Sequence, residues 1–301
     1  MSEAETRRSY MVGGTSIVAR PIEPALYLVA TPIGNLADIT LRALETLAGV
    51  DILACEDTRV TRILLDRYGI RQKLLAYHEH NAAEAGPRLI EALSAGRSVA
   101  LVSDAGTPLV SDPGFRLVSQ ALEAGFRVVP IPGASAVLAA LTASGLPSDT
   151  FLFAGFLPVK DGQRRTRLEE LRAVPATLVF FESPRRLADT LTAMVDVLGA
   201  TRAAAVGREL TKTFEEMRTG SLAALATSYA EADAPRGEIV ICVGPPLAPD
   251  ESAPEDIDRL LLSLSDEMPA SKAAAEAARM TGGRKGDLYR RLLELKDASG
   301  G

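Results

Sequence analysis

Cysteine is scarce in this chain. Cys55 and Cys242 are its two thiols, each inside an apolar run and neither with another cysteine nearby, which excludes a secreted disulfide framework and a cysteine-based zinc site. Both read as buried thiols in a reducing compartment. Positive charge is not in excess: 33 Lys and Arg face 39 Asp and Glu, a formal net charge of -6. The chain is therefore not a uniformly basic protein that coats nucleic acid by counterion release, although a local basic face stays open. Long apolar runs are missing as well. No stretch reaches membrane-spanning length, and the opening MSEAETRRSYMVGG lacks the apolar core of a signal peptide, so a soluble, cytoplasmic protein is expected. Neither G-x-G-x-x-G nor a Walker A sequence occurs, which removes support for dinucleotide and P-loop readings.

What is present is apolar content, 47% of 301 residues, enough for two domain cores. Residues 1–24 show neither helical nor strand period and read as a mobile extension. From Ala25 the chain alternates: strand Ala25 to Thr31 with a helix through Leu41, Leu44 and Leu47, strand Asp51 to Cys55 with helix Thr61 to Tyr68, and strand Leu74 to Tyr77 with helix Arg88 to Ala95. Strand Ser98 to Val102 precedes helix Phe115 to Ala124, and strand Val128 to Ile131 precedes helix Ser135 to Ala143. Five such units predict a mostly parallel sheet in an α/β domain over 25–146. SGLPSD (Ser144 to Asp149) marks a break, after which 147–245 reads as a second α/β domain with a mixed sheet. A Pro- and acid-rich linker spans 246–254, and 255–301 carries three apolar helical periods, a three-helix module. Ser271 to Gly301 holds seven bases against four acids, so this tail is locally basic.

The richest motif is SDAGTPLVSDPG, Ser103 to Gly114, far longer than a strand-to-helix turn requires. Gly106 and Gly114 allow close backbone approach, Asp104 offers a fixed acceptor, and Thr107 and Ser111 offer hydroxyls, which suits a ligand of positive character. Ser111 or Asp112 capping the next helix, with Pro113 in its first turn, explains only the loop's end. TPIGNL (Thr31 to Leu36) and PIPGASA (Pro130 to Ala136) also follow strands, where open parallel sheets bind ligands; plain turns with an Asn35 or Asp38 cap, or tight helix packing, explain them equally well. CEDTRVTR places Glu56, Asp57, Arg59 and Arg62 at the same strand ends, either for substrate or as a self-neutralising helix start. His78 and His80 in YHEHN lack a nearby third ligand, so no metal is expected. FFESPRR (Phe180 to Arg186) and GRELTKTFEE (Gly207 to Glu216) gather acids and bases in the second domain. Arg185, Arg186, Arg208 and Lys212 suit phosphates, and Arg164 to Arg167 form a second basic patch or a solvated surface.

Taken in order from Leu26 to Val243, TPIGNLADITLRAL, ACEDTR, YHEHN, VALVSDAGTPLVSDPG, GFLP, FFESPRR and RELTKTFEE resemble the tetrapyrrole-methylase superfamily of S-adenosylmethionine enzymes, in its ribosomal RNA branch. The resemblance implies two α/β domains of tetrapyrrole-methylase type with the cofactor cleft between them, a homodimer, and 2′-O-methylation of a cytidine ribose in the decoding centre of 16S ribosomal RNA. The three-helix tail is similar to the helix-turn-helix-like tail of that branch. It further implies that Asp104, Ala105, Gly106, Thr107 and Pro108 hold the methionine end of S-adenosylmethionine, with Pro32 and Ser111 nearby. Pro132, Gly133, Ala134, Phe181 and Ser183 would hold its adenosine end. A ribose hydroxyl is a poor nucleophile, so a base should assist: Glu182, Glu209 and Lys212 are unranked candidates, Lys212 only if burial depresses its pKa. Arg59, Arg164, Arg165, Arg185, Arg186, Arg208, Arg284 and Lys285 are the RNA-binding candidates, and the small ribosomal subunit the expected partner. Val60 and Arg185 stand where many relatives carry histidine, and Ala134 where proline is commoner. Two alternatives remain: a tetrapyrrole C-methyltransferase, against which TPIGNL and the basic tail argue, and a non-catalytic RNA-binding assembly factor, which leaves the Ser103 loop unexplained.

Overall fold

Chain pairing begins earlier than the sequence predicts. The structure, a computed structural model, describes residues 8–112, 114–246 and 254–299. Strands β1 (Ser9–Val12) and β2 (Thr15–Val18) form an antiparallel hairpin. Its turn is Gly13-Gly14, with the two positive φ values, +56° and +85°, that a two-residue hairpin turn demands. Tyr10 is buried against Ala43, Leu44 and Leu47, and the Met11 amide donates to the Tyr68 carbonyl. Residues from Arg8 onward are thus not the loose extension expected; residues 1–7 lie outside the described part of the chain.

The first sheet is built from β3 (Leu26–Val29), β4 (Ile52–Cys55), β5 (Leu74–Ala76), β6 (Val99–Val102) and β7 (Val128–Ile131), all parallel, in the order β5-β4-β6-β3-β7. Helices α1 (Leu41–Gly49), α2 (Thr58–Arg67), α3 (Ala82–Ser94), α4 (Phe115–Glu123) and α5 (Ala136–Ala143) connect and follow the strands. Strands covered on both faces need unbroken apolar sequence, and VALV of β6 is buried at all four positions. Thr40, Asp57 and Ser135 accept the amides of Ala43, Arg59 and Leu138, which starts α1, α2 and α5. The Asp57 cap starts α2 three residues ahead of the predicted Thr61. Helix α3 starts at Ala82, six residues ahead of the predicted Arg88, and carries Pro87 inside it. Helix α4 differs: Gly114 is its N-cap at φ +136° and no side chain caps it, so the expected Ser111 or Asp112 cap does not form. Pro113 lies outside the described residues.

The second sheet contains β8 (Phe151–Phe156), β9 (Thr177–Glu182), β10 (Ala203–Arg208), β11 (Glu216–Ser221) and β12 (Ile239–Val243), ordered β11-β10-β12-β9-β8. Only β8 and β9 run parallel; the other pairs are antiparallel, a mixed sheet as predicted. Helices α6 (Asp161–Leu171), α7 (Leu187–Leu198) and α8 (Leu222–Ala230) pack on it. Edge strand β11 escapes sequence reading because Glu216, Arg218 and Thr219 give it a polar, partly exposed character typical of protected edges. Ile33, Val137, Ala140 and Leu141 of the first half share one apolar cluster with Val179, Ala205, Leu210, Val240 and Cys242 of the second. Both sheets belong to one unit that ends at Gly244.

The second unit, from Pro245, holds α9 (Pro254–Glu267), α10 (Ala270–Thr281) and α11 (Lys285–Ser299) around Leu261, Ala273, Ala277, Leu288 and Leu292. Gly282 ends α10 in the left-handed conformation, φ +73°, and Arg291 of α11 pairs with Asp258 of α9 at 2.7 Å. No helix among the described residues is long and apolar enough to cross a membrane.

Candidate active site

The strand order dictates where a ligand can sit. Loops leaving neighbouring parallel strands in opposite directions open a crevice at their carboxyl ends, and β3 and β6 are such neighbours. Their loops meet there: the Thr31 amide donates to the Gly106 carbonyl at 2.8 Å and the Gly106 amide returns to Thr31 at 3.0 Å. The Thr31 hydroxyl donates to the Ser103 carbonyl, and the Thr107 hydroxyl to that of Ala134 in the third loop, PIPGASA. Gly106 is at φ +78°, where a side chain would also crowd Ile33. A Cβ on Gly133 would press on Ala30 at 3.0 Å. Leu109 and Ser111 hold φ values of +73° and +67°, strain that non-glycine residues carry where a site requires it.

Two adjoining cavities result. The larger, about 410 Å³ and within the size range of small-molecule sites, is bounded by the Ala105–Thr107 and Val110–Asp112 stretches, by Ser135–Val137, and by Phe156, Phe181–Pro184 and Gly237–Val240. A bulge between Phe153 and Gly155 in β8 shapes one wall. Without it Phe153 and Phe156 would face opposite sides; the extra residue turns both rings onto Phe181, at centroid distances of 4.9 and 5.6 Å. The smaller cavity, about 240 Å³, is lined by Thr31–Gly34, by Val60, Ile63 and Leu64 of α2, and by Ser103–Ala105, Lys212 and Glu238.

Of the residues expected to hold a ligand, Ala105, Gly106, Thr107, Ser111, Phe181 and Ser183 line the larger cavity, while Pro32 and Asp104 line the smaller. Pro108, Pro132, Gly133 and Ala134 line neither; Gly133 and Ala134 instead support the loop contacts just described. Asp104 accepts the Asp57 amide at 2.9 Å. Glu56 and Asp112 have pKa values raised first by burial and then by the negative charge of Asp104. The site is electronegative and suits a cationic ligand.

The three candidate bases separate sharply. Glu182 is buried, and its oxygens are engaged by the Ser183 amide at 2.7 Å, the Thr190 hydroxyl at 2.7 Å and Arg186 at 3.4 Å. It forms a fixed wall. Lys212 Nζ lies 2.7 Å from Glu209 Oε1 and 3.1 Å from Glu238 Oε2. Burial opposes its charge, but the bonds to the two carboxylates outweigh burial and raise its pKa. The depressed pKa on which the sequence reading made a lysine base conditional is absent. Hydrogen bonding to Lys212 correspondingly lowers the Glu209 pKa. This pair exists because two glycines make room: a Cβ on Gly34 (φ +149°) would overlap the Lys212 stem, and one on Gly237 (φ +102°) would overlap the Glu209 side chain. Glu209 and Thr211 themselves are left-handed, at φ +50° and +68°. Glu238, unremarkable in sequence and just ahead of β12, lines both cavities.

The basic candidates also divide. Arg164 is buried and paired with Asp161, and Arg186 is half-buried, donating to the carbonyls of Leu157 and Pro158. Neither is a free surface cation. Arg165 pairs with Asp161 and Asp196, Arg208 with Glu216, and Arg59 with its own helix cap Asp57. Arg185 is exposed, and in the second unit Arg284 and Lys285 are exposed at the start of α11. His78 and His80 stand 6.1 Å apart, ring to ring. Among the described residues no group of three or more His, Cys, Asp or Glu is arranged to hold a metal ion.

Comparison with known proteins identifies the family. The family model of tetrapyrrole (corrin/porphyrin) methylases matches residues 25–226, and that of the RsmI C-terminal HTH domain matches residues 251–296. The ribosomal RNA small subunit methyltransferase I of Mesorhizobium japonicum is 77% identical over 290 residues, 96% of this chain and 98% of that protein. The protein of the same name from Pseudomonas aeruginosa is 50% identical over 277 residues, 91% and 98% of the two chains. A crystal structure of uroporphyrin-III C-methyl transferase from Thermus thermophilus complexed with S-adenyl homocysteine is similar in fold, with a TM-score of 0.51 at 19% identity over 72% of this chain and 96% of that one.

Proposed function

This chain belongs to the tetrapyrrole (corrin/porphyrin) methylase family, and on that premise we propose that it is a cytoplasmic S-adenosylmethionine-dependent methyltransferase that 2′-O-methylates a cytidine ribose in the decoding centre of 16S ribosomal RNA. The observation that carries the reading is the pair of adjoining cavities, one sized and lined for a small cofactor and the other open beside it for an acceptor. The high identity to two ribosomal RNA small subunit methyltransferases I favours ribosomal RNA as the acceptor over a tetrapyrrole.

The residues present fit the cofactor. Phe156, Phe181 and Val137 offer an apolar slot for its adenine, and Ser111, Ser135 and the exposed loop backbone offer polar partners. The carboxylates of Asp104 and Asp112, with Glu56 behind them, favour a cationic group. Bound there, S-adenosylmethionine supplies an electrophilic methyl on a sulfonium. The protein's own task is alignment: a displacement needs donor and acceptor held in line, and a rigid cleft supplies that effective concentration. Glu182 acts as scaffold, fastening the end of β9 to α7 through Thr190. Arg185 and the exposed Arg284 and Lys285 are the phosphate contacts for the RNA, assisted by Arg59 and Arg165, whose partners are solvent-exposed pairs of small worth. The functional chain is a homodimer with the small ribosomal subunit as its partner.

The test is transfer of tritiated methyl from S-adenosylmethionine to small subunits lacking the modification, followed by digestion to nucleosides. Label in 2′-O-methylcytidine is expected; label absent, or in another nucleoside, refutes the reading.

A further inference from the structure

If the larger cavity takes the methyl donor and the smaller one the acceptor, the methyl crosses where they meet. Three residues line both cavities: Ile33, Ala105 and Glu238. Ile33 and Ala105 have no group that can take a proton. The other ionisable groups nearby are committed elsewhere or do not reach the junction; Asp112, like Glu182, lines the larger cavity alone. Glu182 has its oxygens engaged by Ser183, Thr190 and Arg186, Lys212 is held in its charged form by two carboxylates, and Glu209 lines neither cavity. Asp104 touches only the smaller cavity and carries the Asp57 amide. The Glu238 side chain is 74% exposed, and Lys212 Nζ engages its Oε2 at 3.1 Å, leaving Oε1 without a partner among the described residues.

We propose that Glu238 is the general base of the reaction, taking the proton of the acceptor hydroxyl on Oε1 while Lys212 holds the carboxylate at the junction through Oε2. This assignment rests on the functional reading above. The step balances without a further reactant. A lone pair of the acceptor oxygen forms the new O–C bond as the S–C bond breaks, its electron pair returns to sulfur, and the O–H proton passes to Glu238, whose exposed carboxyl releases it to water. Lys212 is a positioning residue here: its stem lies on Gly34 of the β3 loop while its ammonium reaches Glu209 and Glu238, so it ties the β10–β11 turn to the first-sheet loop that borders the acceptor cavity.

The experiment compares parent protein, E238Q and E238D in methyl transfer to small subunits, in calorimetric affinity for S-adenosylhomocysteine and in thermal melting. General base catalysis contributes about 10²–10⁴-fold. E238Q is expected to lose at least about 100-fold in kcat, with affinity for S-adenosylhomocysteine within about threefold of the parent and melting unchanged. E238D, which keeps a carboxylate, is expected to be at least about tenfold faster than E238Q. An E238Q protein within about tenfold of the parent overturns the assignment. So does a loss accompanied by equal loss of S-adenosylhomocysteine affinity or of folding, or one that E238D shares in full. No transfer by the parent itself refutes the functional reading, whereas transfer that E238Q retains refutes only the role of Glu238.

Discussion

Replacing Thr190 with valine tests whether Glu182 is scaffold or base. Thr190 is fully buried, and its hydroxyl donates to Glu182 Oε2 at 2.7 Å within a carboxylate that is itself 1% exposed at the side chain. Valine has nearly the same shape, so no cavity forms and the change removes one hydrogen bond to a buried charge. Such bonds contribute about 1.5–3 kcal/mol. The Ser183 amide and Arg186 still serve the other oxygen, which places the expected loss near the middle of that range, about 2 kcal/mol. For a unit of this size that lowers Tm by about 4–8 °C. Urea unfolding and calorimetry measure the loss, and methyl transfer at saturating cofactor measures the consequence. A scaffold role predicts T190V destabilised by that amount with kcat within about threefold of the parent at a temperature where both are folded. A Tm within about 1 °C of the parent, or kcat reduced about 100-fold in a protein of undiminished stability, would refute the assignment.

Gly237→Ala forces a Cβ into the Glu209 side chain at a left-handed backbone position; the backbone strain alone costs about 1–2 kcal/mol, seen in urea unfolding, and kcat falls as Lys212 loses its nearest partner. Asp112 is held above the usual carboxylate range by burial and by Asp104. An acid whose folded pKa is raised opposes folding once it ionises, so D112N is expected to melt above the parent at neutral pH. The difference should vanish as pH falls below the ordinary carboxylate pKa, where the parent is protonated folded or unfolded; a variant that melts lower at neutral pH contradicts the sign. Burial pushes the Cys242 thiol up to about 12 and raises that of Cys55 as well. Neither should react with a disulfide reagent at pH 8 in the native protein, and both should react in denaturant.

Much of the fold was legible because buried parallel strands leave apolar runs and the helices after them repeat apolar residues at helical spacing, although the Asp57 cap that starts α2 was not read as one. The loops that border the cavities were legible for the same reason, as each follows a recognisable strand. The hairpin over Ser9–Val18 was missed because strands of four residues carry little periodicity, although Gly13-Gly14 is a turn signal. Edge strand β11 was missed because its residues are polar. Glu238 was invisible for a topological reason: antiparallel pairing of β10 with β12 sets Arg208 opposite Ile239 and so brings residue 238 beside Glu209 and Lys212. Arg164 and Arg186 were read as RNA-binding candidates because charge spacing does not reveal which guanidinium finds an internal acceptor.

The division of labour between the two cavities is tested most directly by a crystal structure of the protein with S-adenosylhomocysteine. The ligand should occupy the larger cavity, its adenine beside Phe156 and Phe181 and its sulfur at the junction marked by Ile33, Ala105 and Glu238. A ligand seated in the smaller cavity, or one with its sulfur turned away from Glu238, would contradict it.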